Sequence, residues 1–127
     1  MKIKSRIKIL GHDIQVKCHA ALVEHPDGDI CLGLAHQWTD KISLAVGFTD
    51  ETGKKQEIAE PTIAETLLHE IIHHIDNRLG LELQEYQISG IACGIIQVIR
   101  DNKMDFGEEV NERARNHQEV SGRKIKR

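Results

Sequence analysis

The sequence has little of several features that mark other classes of protein. One tryptophan, one tyrosine and two phenylalanines among 127 residues are too few for a platform on which nucleic-acid bases stack. The net charge of −3 lacks the basic excess of a general nucleic-acid binder. No apolar run approaches the roughly 20 residues that cross a bilayer, and charges interrupt residues 1–8, where a signal peptide is apolar. We therefore expect a cytoplasmic protein that has no membrane segment and is not a general nucleic-acid binder.

Cysteine is also scarce. Cys18, Cys31 and Cys93 are an odd number, lie far apart and form no CxxC pair. Such a set builds neither a disulfide framework nor a cysteine-based zinc site. We interpret the three as reduced, partly buried thiols.

Alternating residues predict a small, mainly antiparallel sheet in the N-terminal half. Cations occupy every second position from residue 2 to residue 8, and alternation resumes at 14–18 beyond a turn predicted at 11–13. A second strand pair is predicted from alternation at 30–35 and at 42–48. The basic side of the first strand is interpreted as a solvated face, with a phosphate-binding edge as the alternative.

Helical periodicity takes over after residue 60. Pro61, and Thr62 with Glu65 as a capping box, predict the start of a helix that ends before Gly80. A second apolar helix is predicted over 84–100, folding back antiparallel to the first. We expect an α+β domain over residues 1–103, followed by a polar, charged helix or tail over 104–127.

The first helix carries an HExxH motif, made of His69, Glu70 and His73. Residues four apart lie one helical turn apart on the same face. Two imidazoles in this arrangement can both bind one Zn²⁺, and the glutamate between them can act as general base on a water molecule.

A catalytic zinc usually takes a third protein ligand. Glu85, early in the second helix, is the predicted ligand, with Glu82 in reserve. Asp76 lies too far along the first helix and is expected to hydrogen-bond His73 instead. Ser89 is a further candidate to hydrogen-bond within the site.

These residues resemble a known family. Residues 65–73, followed by Glu85 and by 94–102, look like small phage and prophage zincin-like metallopeptidases related to the ImmA/IrrE-type group. The resemblance covers about residues 30–102, with 33–44 similar to the hairpin that precedes the metal helix. It implies a minimal zincin fold in which an extended substrate pairs with the sheet edge. Family members often carry an acid where this chain has Ser89, so a ligand at Glu85 would lie one turn earlier.

The sequence therefore predicts a gluzincin-type zinc peptidase, with His69, His73 and Glu85 as metal ligands and Glu70 as general base. The resemblance implies a host or phage regulatory protein as substrate. Two alternatives remain: a metal-binding phage interaction protein without hydrolytic activity, and a DNA-associated peptidase resembling the SprT type. The donor that stabilises the oxyanion is left open among Tyr86, His74 and His36, as is the oligomeric state.

Overall fold

A computed structural model describes residues 2–104 of the chain, which form an α+β fold. The described residues contain eight strands and two helices: β1 Arg6–Ile9, β2 His12–His19, β3 Val23–Glu24, β4 Ile30–Cys31, β5 Gly33–His36, β6 Lys41–Ala45, β7 Gly47–Thr49, β8 Lys55–Glu57, α1 Glu60–Leu79 and α2 Glu85–Asp101.

The chain divides into two compact units, Met1–Ile96 and Gln97–Arg127. The first unit holds the strands, α1 and most of α2. The described part of the second unit, residues 97–104, holds the end of α2. The polar, charged helix or tail predicted over 104–127 lies almost entirely outside the described residues.

The main sheet has four strands in the order β1-β2-β6-β5. Two antiparallel hairpins, β1–β2 and β5–β6, are joined side by side through a parallel pairing of β2 with β6. Two further antiparallel pairs, β3–β4 and β7–β8, are short. The mainly antiparallel sheet of the prediction is thus confirmed, whereas the parallel pairing was not foreseen.

The core lies between one face of this sheet and α1. Ile14, Val16, Ile42 and Leu44 are buried at alternate strand positions, and Ile63 of α1 packs on them. Because successive strand side chains point to opposite faces, one face of β2 and β6 is apolar. Burial of that face orients α1 and with it the HExxH motif.

The predicted start of α1 was wrong in its detail. The helix begins at Glu60 with Ala59 as N-cap and without a side-chain cap hydrogen bond, and Thr62 already lies inside it. The Thr62 carbonyl instead accepts a hydrogen bond from the Thr66 hydroxyl at 2.8 Å. At the other end the prediction is confirmed, since Gly80 ends the helix in the left-handed conformation with φ 62°.

The second helix contacts the first beside the HExxH motif. Ile88 and Ala92 of α2 pack on Ile72 of α1. Glu85, the first residue of α2, lies against both His69 and His73, and Ser89, one turn later, lies against His69. The buried stripe of α2 is narrower than predicted, because Ile91 and Ile95 are exposed.

All three cysteines are free. Cys18 and Cys93 are exposed and only Cys31 is partly buried, so the expected burial was wrong for two of the three. Across residues 2–104, neither helix combines the length and apolar character that crossing a membrane requires.

Candidate metal centre

The two motif histidines point their Nε2 atoms at the same place. One turn of α1 separates His69 from His73, and their Nε2 atoms are 3.2 Å apart. The side chains are 19% and 26% exposed. The site is therefore shielded but open to a ligand.

Glu85 brings a carboxylate to both imidazoles. Its Oε1 lies 2.5 Å from Nε2 of His69 and its Oε2 lies 3.1 Å from Nε2 of His73. The reserve candidate, Glu82, lies exposed in the link before α2, in the left-handed conformation with φ 56°. Of the two predicted alternatives, the structure brings Glu85 to the histidines.

The link between the helices is held by Asp76. Its carboxylate Oδ1 accepts a hydrogen bond from the Leu83 backbone N–H at 3.0 Å, and its carbonyl accepts one from the Leu81 N–H at 3.2 Å. The expected bond from His73 to Asp76 is therefore wrong. Asp76 instead fixes the residues that precede Glu85, and so acts on the site through the link.

The two imidazole nitrogens have the spacing of ligands of one tetrahedral metal ion, whereas Oε1 of Glu85, 2.5 Å from Nε2 of His69, is closer than two such ligands lie to each other. Ligand atoms about 2.0–2.1 Å from a tetrahedral zinc lie roughly 3.3 Å from one another, close to the 3.2 Å between the two Nε2 atoms. Two histidines with one glutamate are also a known donor set of catalytic zinc. On the far side of one ring, Nδ1 of His69 lies 3.5 Å from the Ser89 hydroxyl, as anticipated for Ser89. Outer hydrogen bonds of this kind orient a ligating imidazole.

Glu70 lies beside this group and is only 6% exposed. Its donor atom is within 4.8 Å of those of His69 and His73, and its carboxylate accepts a hydrogen bond from the Ala35 N–H. Burial, and next the charge of Glu85, raise the pKa of Glu70 to about 7. A carboxyl group with such a pKa can both take and release a proton near neutral pH.

A cavity of about 570 Å³ opens beside these residues. One wall is α1, which contributes Thr62, Glu65 and Thr66 as well as the motif. The other wall comes from β4, β5 and the turn between β3 and β4. The cavity therefore places the HExxH face opposite a sheet edge.

His25 is a cavity residue that sequence reasoning missed. It lies in the β3–β4 turn and lines the cavity, and its Nδ1 lies 3.0 Å from the carboxylate of Asp27. No sequence motif includes His25, because it lies 44 residues before His69. Only the folding of the sheet brings it to the HExxH motif. The one signal in the sequence was the abundance of histidine.

The three candidates for the oxyanion donor are placed elsewhere. His74 is 1% exposed with its Nε2 3.1 Å from the Lys41 carbonyl, and Tyr86 is 74% exposed. His36 lies 3.0 Å from the Ser43 hydroxyl. None of the three lines the cavity.

Close packing at Gly33 sets the distance between the sheet edge and α1. A Cβ atom at this position would lie 2.7 Å from Thr66 Cγ2 and 3.1 Å from Glu70 Cγ. Only glycine therefore lets β5 approach the helix this closely.

Comparisons with models of protein families, with curated protein sequences and with solved structures found no match to this chain.

Proposed function

We propose that the protein is a zinc-dependent peptidase of the gluzincin type, with a minimal zincin-like fold. The observation that carries the proposal is the convergence of Glu85 on the Nε2 atoms of both motif histidines. This convergence lies in the wall of a cavity that Glu70 also lines. Chance spacing of histidines on a helix does not account for a carboxylate delivered from a second helix.

His69, His73 and Glu85 would hold the metal. Bound there, a zinc ion supplies Lewis acidity that polarises a carbonyl and lowers the pKa of a water molecule. The same donor set speaks against a SprT-like peptidase, because such chains usually take a histidine as third ligand and here a carboxylate faces both imidazoles.

Glu70 would act as the general base. It takes a proton from the attacking water and passes it to the leaving amine, which its raised pKa favours near neutral pH. The Ala35 amide fixes the orientation of this carboxylate. His25 lines the same cavity and is the side chain that we assign to hydrogen-bonding the substrate.

An extended peptide is the substrate that the cavity suits. β5 is one of the two outer strands of the main sheet and forms a cavity wall, so a peptide can lie along its carbonyl groups. From the family resemblance we propose a host or phage regulatory protein in the cytoplasm as the source of that peptide.

The experiment measures metal and cleavage on the same preparations. Purified protein supplied with zinc should hold one zinc per chain by mass spectrometry, with the metal lost in His69→Ala and weakened in Glu85→Ala. Glu82→Ala, an exposed glutamate three residues away, is the matched control and should bind normally. A peptide mixture analysed by mass spectrometry should be cleaved by the wild type but not by Glu70→Gln, which keeps its zinc.

Two outcomes would overturn the proposal in different ways. Absence of bound zinc in the wild type would remove the metal site itself. Full zinc binding with no cleavage of peptides or candidate regulatory proteins would favour the metal-binding interaction protein without hydrolytic activity.

A further inference from the structure

The main sheet has a second face, opposite the core and α1, that carries positive charge. On β1 the residues facing away from the core are Arg6 and Lys8, on β2 they include Lys17, and on β6 they include Lys41. Strand neighbours of these cations, Ile7, Ile9, Val16 and Ile42, belong to or pack on the buried core. We call Arg6, Lys8, Lys17 and Lys41 the basic face.

Strand register brings these cations together. Arg6 lies opposite Gln15, and Gln15 lies opposite Lys41, so the three share one row across the sheet. Lys17 lies opposite Ser43, two residues further along the strands from that row and on the same face. Since neighbouring strands are about 4.8 Å apart, the four cations lie over three adjacent strands rather than along a single edge.

No carboxylate among residues 2–104 forms an ion pair with these four cations. Asp13, opposite Lys8, is the one acid on this face of the four strands. His19 and His36 are the other titratable groups there. Burial, and next the charge of Lys41, lower the pKa of His36, which accords with a positive potential at this surface.

The chemistry of the face narrows the class of partner. Strands β1, β2, β5 and β6 contain no tryptophan, tyrosine or phenylalanine, and the single exposed Trp38 in the β5–β6 turn is too little for a platform on which successive bases stack. Leu34 is the one large apolar residue on the strands of this face and is only partly exposed, so the strands themselves present little apolar surface to a lipid membrane or a protein partner. A row of separated cations without apolar anchors matches a phosphate backbone, which is contacted by charge rather than by stacking.

We infer that the basic face binds the phosphate backbone of a nucleic-acid duplex. The inference does not depend on the proposed peptidase activity. The carboxylates of Glu65, Glu70 and Glu85 line the cavity on the other side of the sheet, so a polyanion is repelled there and attracted to the basic face. Our expectation against a general nucleic-acid binder came from the few aromatic residues and from the whole-chain charge of −3, and that sum conceals this separation of charge.

The test is binding of the full chain to a fluorescent 20-base-pair DNA duplex, followed by anisotropy at several salt concentrations. If four cations contact phosphates, the logarithm of affinity should fall with the logarithm of salt concentration with a slope of about −3.6. Trp38, the single tryptophan of the chain, lies in the β5–β6 turn and is 95% exposed. Its fluorescence should change on binding, which locates the contact at the sheet.

Glutamine variants distinguish binding by the basic face from binding that depends only on the total charge of the protein. Arg6→Gln combined with Lys8→Gln and Lys17→Gln should reduce the slope by about 2.7. The matched control replaces three cations elsewhere, Lys54, Lys55 and Arg100, by glutamine and should leave the slope unchanged. The basic residues at 123–127 stay in every variant, so they cannot produce a difference between the two triples. If the triple variant folds poorly, the single variants Lys8→Gln and Lys17→Gln replace it in the test. Each should reduce the slope by about 0.9.

Three results would overturn the inference. The first is absence of duplex binding at low salt. The second is an equal loss in the basic-face and control triples, which would mean that binding follows total charge. The third is displacement of the duplex by polyglutamate at equal charge concentration, which would identify an acidic protein segment as the partner.

Discussion

At the scale of single residues, Gly33 determines how closely the sheet edge approaches the HExxH helix. We expect Gly33→Ala to lower the free energy of unfolding by about 1–3 kcal/mol, the usual cost of adding a methyl group to a packed contact. The clash would be with Thr66 Cγ2, 2.7 Å from the new Cβ. Urea unfolding of the metal-free protein measures this cost.

A second substitution tests the cause. Thr66→Ser removes Cγ2 but keeps the hydroxyl that bonds the Thr62 carbonyl, so Gly33→Ala with Thr66→Ser should regain much of the lost stability. Gly90→Ala is the contrasting variant, because nothing lies within 4 Å of a Cβ there and alanine favours a helix by roughly 1 kcal/mol. Equal stability of Gly33→Ala and the wild type would contradict the packing argument.

Residue spacing alone predicted part of the site. The positions of His69, Glu70 and His73 follow from the period of one helix, and local geometry suffices to place them on one face. Predicting Glu85 also required the assumption that a short link lets the second helix fold back onto the first. His25 was out of reach, because its position depends on how a separate hairpin packs against the sheet.

At the scale of elements, the β7–β8 hairpin depends on one carboxylate. Asp50 accepts hydrogen bonds from the Thr52 and Lys54 backbone N–H groups at 2.9 and 3.0 Å and from the Gln56 side chain at 2.9 Å. The Thr52 hydroxyl also donates to it. These donors, led by the side chains of Thr52 and Gln56, lower the pKa of Asp50 from 3.8 to about 2.

Stability should depend on this group in acid. Because the folded pKa lies below the unfolded value, the contribution of Asp50 is fully present well above pH 3.8 and is lost as the pH falls through about 2. Asp50→Asn should have a lower Tm than the wild type at pH 7, and the difference should shrink between pH 4 and pH 2. Thermal unfolding across this range measures it, with Glu51→Gln as the neighbouring control. A difference in Tm between Asp50→Asn and the wild type that stays constant with pH would show that the charge of Asp50 is not involved.

The elements themselves were predicted unevenly. Periodicity located both helices and the two hairpins of the main sheet, since each is a local pattern. The start of α1 was misplaced because Thr62 and Glu65 have capping-box spacing but lie inside the helix, where backbone hydrogen bonding from Ala59 onward already continues it. The parallel pairing of β2 with β6 joins residues 26 positions apart, and no local pattern specifies such a contact.

At the scale of the whole molecule, zinc should stabilise the fold. A ligand that binds only the folded chain adds about 2.7 kcal/mol at one hundred times its Kd, equivalent to about 10 °C or more in Tm for a domain of this size. The increase should vanish in His69→Ala, reverse with a chelator, and remain complete in Glu82→Ala. Thermal unfolding with and without zinc measures it. An equal increase in His69→Ala would mean that the metal binds elsewhere.

Charge is distributed unequally over the molecule. The sheet surface opposite α1 carries four cations, whereas the cavity wall carries three glutamates. The composition could not predict this distribution, because the net charge does not say where in the fold each charge lies. Strand alternation did assign the cations of β1 to one face, but the contribution of Lys41 depended on the strand pairing.

The outer strand β5 has a consequence for self-association. Exposed strand edges are where copies of a protein join and aggregate, through rows of unpaired N–H and C=O groups. Here the Ala35 N–H is bonded to Glu70 and the Gly33 N–H to the thiol of Cys31. A strand of a second copy would meet carbonyl groups of β5, but the N–H groups of Gly33 and Ala35 are already bonded. It could therefore form only part of the hydrogen bonds of a regular strand pair. The contacts that occupy these two N–H groups thus weaken β5 as a template for a second copy of the chain.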